Sequence, residues 1–176
     1  MAVLIEAISV IISVFAIEEK FPGGWSEFKA MVPNQTLCSD TEIARVGFME
    51  PADVEAFIAE LTTSSLIFLM QGSAIDIAVV DQQRGPTVQC DWLEVGHIDL
   101  GGNTSHRVAA ARLVNSDISQ IVTPDNWQFE GSLSHTFGFS PTESRKAGLN
   151  LLRVENGMEV YLNELTGKEV YVGRTS

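Results

Sequence analysis

The chain has 176 residues, and its 23 acidic side chains outnumber its 11 basic ones, which gives a formal net charge of −12. This charge repels phosphate backbones and anionic membrane surfaces, and the sequence holds no cluster of lysine and arginine, so we expect neither a nucleic-acid partner nor a membrane partner. The length suits one domain whose core is large enough to be stable without a metal or a disulfide. We therefore predict a single acidic, soluble α+β domain that covers residues 1–176.

The first segment, residues 2–17, is strongly apolar and carries one charged side chain, at Glu6. It lacks the basic start of a secretory signal and falls short of the roughly 20 apolar residues that a membrane span needs, so we interpret it as core. Its content of valine and isoleucine predicts a strand over residues 3–12. Ser13 is placed to cap a helix over residues 14–20.

Helices and strands then alternate through the middle of the chain. A short helix is predicted over residues 25–31 and a strand over residues 42–49. The strongest helix signal starts at Pro51, a residue suited to the first turn of a helix. It continues at i, i+3, i+4 and i+7 spacing as one apolar stripe, formed by Val54, Phe57, Ile58 and Leu61. Further strands are predicted over residues 65–70, 75–81, 91–97 and 107–114. This order predicts a mixed or antiparallel sheet with two to four helices packed on it.

The chain after residue 120 combines turns with short elements. Residues 123–126 have the composition of a turn and lead into a predicted strand over residues 127–133. Residues 140–148 begin with capping-box spacing and a proline at the first helical position, which predicts one or two helical turns.

The end of the chain carries the clearest strand signal. Residues 149–154 and 158–162 flank Asn156-Gly157, a pair that supplies the positive φ angles of a type I′ hairpin turn. With a last strand over residues 169–172, these segments predict a three-stranded β-meander. The last strand can form a sheet edge that pairs with a second copy, so a homodimer is a further expectation.

No pattern in the sequence specifies catalysis. A Gly-x-Ser-x-Gly nucleophile elbow is absent, and His97, His106 and His135 do not form the closely spaced motifs of zinc sites. We therefore predict no catalytic residue, no metal and no cofactor. The only cysteines, Cys38 and Cys90, fit a reducing compartment, and we expect the protein in the cytoplasm.

The most informative polar stretch lies within residues 81–97. Glutamine, arginine, aspartate and tryptophan together supply planar donors and acceptors beside a large aromatic face, which suits recognition of a ligand or partner. On a straight strand Asp91 and His97 would be about 20 Å apart, so they cannot form an acid–base pair. The bland interpretation is a polar hairpin loop with Trp92 as a core anchor. The functional interpretation is a binding site formed by Gln83, Arg84, Asp91, Trp92, Glu94 and His97.

Two kinds of function stay open at this point. The first is a non-enzymatic binding or regulatory protein whose acidic surface docks a protein partner, with a basic partner as one option. The second is a small-molecule-binding protein or an enzyme. Its pocket would lie between the sheet and the helix over residues 51–62, with the polar stretch of residues 81–97 at its mouth. The net charge and the missing catalytic pattern favour the first.

Overall fold

A computed structural model describes residues 1–116, 120–136, 149–155, 158–163 and 168–172. The strands within these ranges are β1 (Ala2–Ile5), β2 (Ile8–Ser13), β3 (Cys38–Ser39), β4 (Ile43–Phe48), β5 (Leu69–Met70), β6 (Ser73–Ala74), β7 (Ile77–Asp81), β8 (Gly85–Pro86), β9 (Leu93–Asp99), β10 (Arg107–Leu113), β11 (Ile121–Val122), β12 (Leu149–Glu155), β13 (Met158–Asn163) and β14 (Lys168–Val172). The helices are α1 (Val14–Lys20), α2 (Gly24–Met31), α3 (Pro51–Thr63) and α4 (Leu133–Thr136), with a 3-10 turn at Leu100–Gly102. This mixture of elements confirms the predicted α+β class.

Two sheets organise the first two-thirds of the chain. The larger sheet has five antiparallel strands in the order β3-β4-β2-β7-β8. The smaller one has four strands in the order β11-β1-β10-β9, in which β1 runs parallel to β11 and antiparallel to β10. Strands β5 and β6 form a separate two-stranded hairpin. The predicted mixed or antiparallel sheet is therefore present as two sheets rather than one.

The five-stranded sheet is covered on both of its faces, which explains why β2 is buried from Ile8 to Ile12 and has apolar residues on both faces. One face packs against the helices through a core that includes Ile8, Val10, Ile12, Phe28 and Phe57. The other face packs against the four-stranded sheet through a second core that includes Val3, Ile5, Ile11, Val80 and Ala109. The result is a helix layer on one side of a two-sheet sandwich.

The outer face of the four-stranded sheet is also partly covered. Because Val3, Ile5 and Ala109 face the second core, the alternating residues Leu4 and Val108 point outwards, and both are fully buried. Helix α4 contacts β10. Helix α4 therefore contributes to the cover over this outer face.

The two best-supported helix predictions are confirmed. Ser13 caps α1, since its Oγ accepts a hydrogen bond from the Ala16 backbone N–H at 3.3 Å. Helix α3 has Pro51 in its first turn and buries Val54, Phe57 and Leu61 against the sheet.

Three strand predictions need correction. The predicted strand over residues 3–12 is broken at Glu6 and Ala7, where Ala7 adopts a positive φ of 51° and the chain passes from one sheet to the other. The predicted strand over residues 127–133 is wrong, since local turn bonds such as Trp127 N–H to Pro124 O at 3.1 Å replace strand pairing. The predicted strand over residues 65–70 is reduced to Leu69–Met70, because the Ile67 N–H is taken by the Asp76 carboxylate at 2.8 Å.

Strands β12, β13 and β14 pair antiparallel in that order. Their connections at 156–157 and 164–167, and the predicted helical turns over residues 140–148, lie outside the described residues. The closed β-meander with its Asn-Gly turn therefore stays a prediction. None of the helices within the described ranges has the length and apolar character needed to cross a membrane.

Candidate functional site

The point where the chain changes sheets opens into a cleft of about 480 Å³, which we call the corner cleft. Five separate segments contribute to it: the corner between β1 and β2, the loop after α2, the end of β4, the start of α3, and the stretch from Pro124 to Leu133. The side chains on which its chemistry depends are Glu6, Asn34, Thr36, Arg45, Phe48, Met49, Asp53, Asp125 and Trp127.

Glu6 anchors one wall of the corner cleft. Its side chain is buried, and Oε1 accepts a hydrogen bond from Trp127 Nε1 at 2.8 Å. Its Oε2 accepts two more from Ser134, one from the backbone N–H at 2.6 Å and one from the hydroxyl at 2.7 Å. All three bonds use the carboxylate as the acceptor, so one charged group ties the segment that carries Trp127 and Ser134 to the sheet corner.

Arg45 is the second buried charge of the corner cleft, with 3% of its surface exposed. Its guanidinium donates to Ser9 Oγ at 3.1 Å, to the Thr36 carbonyl at 3.0 Å and to the Glu6 carbonyl at 3.3 Å. Burial lowers the pKa of Arg45, although nearby Cys38 and Glu6 act in the opposite direction. The three acceptors come from three different segments, so Arg45 holds these segments together at the corner through buried hydrogen bonds.

Gly47 provides the space that Arg45 occupies. A β-carbon added at Gly47 would lie 2.9 Å from Arg45 Cζ and closer still to one of the guanidinium nitrogens. The backbone of Gly47 is fixed by side chains of the preceding loop, because its N–H donates to Thr36 Oγ1 at 2.7 Å and its carbonyl accepts from Asn34 Nδ2 at 2.8 Å. This part of β4 has no room for a side chain.

Replacement of Gly47 by alanine is expected to lower the free energy of unfolding by about 1–3 kcal/mol, because the added methyl group must displace a buried guanidinium. Urea denaturation measures the change. Gly96→Ala is the matched control, since a β-carbon at Gly96 meets nothing within 4 Å. We expect that control to stay within about 0.5 kcal/mol of the wild type. Equal losses in the two variants would contradict the proposed steric role of Gly47.

The two thiols of the chain are not activated. Cys38 is paired with Arg45 across β3 and β4, but burial raises the pKa of its thiol more than Arg45 lowers it. Burial also raises the pKa of Cys90. The described lining of the corner cleft includes no cysteine and no histidine, and the described residues contain no cluster of three or more metal-binding side chains. Within these residues the cleft has no nucleophile paired with a base.

The charges of the corner cleft fall into two groups. Glu6 and Arg45 are buried and are satisfied by hydrogen bonds within the protein. Asp53, in the first turn of α3, and Asp125 are exposed, and no hydrogen bond or ion pair joins their carboxylates to another described residue. They lie in the same cleft as the indole of Trp127, so the groups available to a ligand are anionic and aromatic.

The residues predicted from the polar stretch lie elsewhere. The backbone N–H groups of Gln83 and Arg84 donate to Asp81 Oδ1, at 2.8 and 2.9 Å, and form the turn between β7 and β8. Trp92 donates its Nε1–H to the Ala74 carbonyl at 3.0 Å and packs against the second core. Asp91 is exposed, and its Oδ1 accepts a hydrogen bond from Gln89 at 3.3 Å.

Glu94 and His97 share a smaller hollow of about 170 Å³ on the four-stranded sheet. Glu94 forms an ion pair with Arg112 at 2.6 Å, and Asp99 forms one with Arg107 at 2.9 Å. Partial burial, assisted by Arg107, lowers the pKa of His97. The structure therefore brings together two of the six predicted residues, and a binding role for the set stays a prediction.

The gap between α3 and the five-stranded sheet holds a third concavity, of about 260 Å³. Its described lining is mainly apolar and includes Val54, Ile58 and Val79, but none of the six predicted residues. A concavity is therefore present where the small-molecule hypothesis placed a pocket, but the polar residues predicted at its mouth do not line it.

Comparison of the chain with family models, curated proteins and solved structures found no match to any of them. Glu6 and Arg45 were missed by the sequence analysis, although each is a lone charge inside an apolar strand segment. A charged residue within an apolar strand has to be neutralised or hydrogen-bonded by other parts of the chain. Its position alone therefore indicates a buried polar contact.

Proposed function

We propose that the chain is a non-enzymatic binding protein that docks a basic protein partner, and that the corner cleft receives a lysine or arginine side chain of that partner. The observation that carries the proposal is the pair of exposed carboxylates, Asp53 and Asp125, in one cleft with the indole of Trp127. A cation that enters gains both charge pairing and contact with an aromatic ring.

The size of the cleft supports this proposal. Its volume of about 480 Å³ falls within the usual range of ligand sites. A long basic side chain has an apolar stem and a charged end. Phe48 and Met49 offer apolar surface for the stem, and Asp53 and Asp125 offer anionic groups for the charged end.

The electrostatic field of the whole protein also favours a basic partner. A net charge of −12 attracts a basic surface over a distance and speeds association, while the cleft supplies the specific contact. We place this interaction in the cytoplasm, which the two free thiols of Cys38 and Cys90 support.

A tetralysine peptide is a suitable probe, titrated by calorimetry at low salt. We expect the double variant Asp53→Asn with Asp125→Asn to bind the peptide about ten-fold more weakly, because two charge contacts are lost. The double variant Glu19→Gln with Glu42→Gln is the matched control, since both residues are exposed, lie outside the cleft lining and change the net charge equally. Binding by the control should fall by no more than about two-fold.

The indole N–H signal of Trp127 provides a second measurement, because this group lies in the cleft with a defined hydrogen bond. The peptide should shift this signal in wild type and in the control variant. Equal loss of affinity in both double variants would show a diffuse charge effect and reject the cleft as the site. Absence of binding at low salt would reject the proposed basic partner.

A further inference from the structure

A second concavity, of about 300 Å³, adjoins the corner cleft along α3, and we call it the α3 concavity. Asn34, Phe48 and Asp53 line both spaces. The α3 concavity adds Phe57, whose ring contacts that of Phe48 with the two centroids 5.2 Å apart. The two spaces are therefore neighbours on one apolar floor, with the carboxylate of Asp53 at their boundary.

Helix α3 supplies a second carboxylate to this surface. Glu60 lines the α3 concavity and follows Asp53 by seven residues, which is close to two helical turns. The two residues therefore lie on the same face of α3, about 10 Å apart along its axis at roughly 1.5 Å per residue. Ala56 lies between them and is exposed, so the side chain in this gap is a single methyl group.

The carboxylate of Glu60 is available to a ligand. Glu60 is exposed, and no hydrogen bond or ion pair joins its carboxylate to another described residue. The lining of the α3 concavity contains no lysine and no arginine. A negative charge beside apolar walls attracts a cation more strongly than the same charge on an open surface.

We propose that the α3 concavity receives a second basic side chain of the same partner, so that the recognised segment is a polyproline II stretch with basic residues at positions i and i+3. This inference rests on the proposed function of the corner cleft. A polyproline II helix has three residues per turn and rises about 3.1 Å per residue, so these two side chains leave the same side about 9 Å apart. That separation is close to the axial distance between Asp53 and Glu60.

The second contact strengthens the first. Once one basic side chain lies in the corner cleft, the other is held close to the α3 concavity and binds as part of the same molecule. A polyproline II segment also loses little conformational freedom when it binds, because its backbone is already extended.

Two tetrapeptides of equal composition test the spacing, Lys-Pro-Pro-Lys and Lys-Lys-Pro-Pro. Acetylated and amidated ends leave the lysines as the only charges, so the net charge of the protein attracts both peptides equally. We expect calorimetry at low salt to give about three-fold tighter binding of Lys-Pro-Pro-Lys to wild type, because adjacent lysines of a polyproline II helix point in different directions.

Replacement of Glu60 by glutamine should remove this preference, because the second charge contact is lost. Glu55→Gln is the matched control, since Glu55 is also exposed on α3 and makes the same change in charge, but lines neither the corner cleft nor the α3 concavity. The control should keep the three-fold preference. Equal affinity of wild type for the two peptides, or a preference that Glu60→Gln leaves intact, overturns the proposal.

A third peptide, Leu-Pro-Pro-Lys, tests the chemistry of the second side chain. If it binds more tightly than Lys-Pro-Pro-Lys, the α3 concavity holds an apolar side chain and the proposal is wrong. The indole N–H signal of Trp127 separates this inference from the proposed function. A signal that shifts with both dibasic peptides at equal affinity supports the corner cleft and rejects the second site. A signal that shifts with none of the peptides rejects the corner cleft as a cation site, and the inference fails with it.

Discussion

Replacement of Glu6 by alanine is expected to lower the free energy of unfolding by about 3–5 kcal/mol. The change removes the acceptor of three hydrogen bonds at once, and two of the donors belong to Ser134, which is buried. The two Ser134 donors would be left without a partner in a place that water does not easily reach. Urea denaturation measures the loss. Faster hydrogen exchange of the Ser134 amide should show that the segment with Trp127 and Ser134 has detached from the corner between β1 and β2.

Two further variants make the role of Glu6 testable. Glu6→Gln keeps the shape but replaces one acceptor oxygen by a donor NH₂ group, so we expect an intermediate loss of stability. Glu94→Ala removes an exposed carboxylate that is also paired, and it should cost less than about 1 kcal/mol. If Glu6→Ala were as mild as Glu94→Ala, the wall would be held by packing rather than by this carboxylate.

Replacement of Arg45 by alanine should have an effect of similar size, about 3–5 kcal/mol, measured in the same way. The carbonyls of Glu6 and Thr36 and the hydroxyl of Ser9 lose their common donor, and a cavity is left inside the sandwich. Lysine cannot replace arginine here, because one ammonium group cannot reach three acceptors in different directions.

Comparison of Arg45→Met with Arg45→Ala separates the contribution of the Arg45 hydrogen bonds to stability from that of its packing. Arg45→Met fills most of the space without introducing a buried charge, so it should be less damaging than Arg45→Ala. Arg107→Ala, at an exposed ion pair with Asp99, is the control and should change stability by less than about 1 kcal/mol. A loss for Arg45→Met as large as that for Arg45→Ala would assign the stability to the hydrogen bonds alone.

Elements set by local chemistry could be predicted from the sequence. Helix α1 begins and ends where the prediction placed it, because Ser13 and the residues after it suffice to define the first turn. The break at Ala7 could not be predicted in this way. The bonds of Glu6 reach Trp127 and Ser134, which lie 121 and 128 residues further along the chain. Nothing within the neighbouring sequence indicates such partners.

The same distinction applies to the candidate sites. The polar stretch of residues 81–97 attracted attention because its polar residues are close in sequence, yet Glu94 is paired with Arg112 on the neighbouring strand and Trp92 packs on the second core. The corner cleft draws one or a few residues from each of five segments. Its exposed carboxylates, Asp53 and Asp125, have no common motif and are brought into one cleft by tertiary structure alone.

The passage of the chain from one sheet to the other at Ala7 also determines an order of events at the ribosome. Strand β2 finds its partners β4 and β7 within the first half of the chain, so the five-stranded sheet can assemble while synthesis continues. Among the described strands, β1 pairs with β10 and β11, and Val3 lies opposite Ala111. Strand β1 therefore has none of its described pairing partners until β10, about 100 residues further along the chain, has been made.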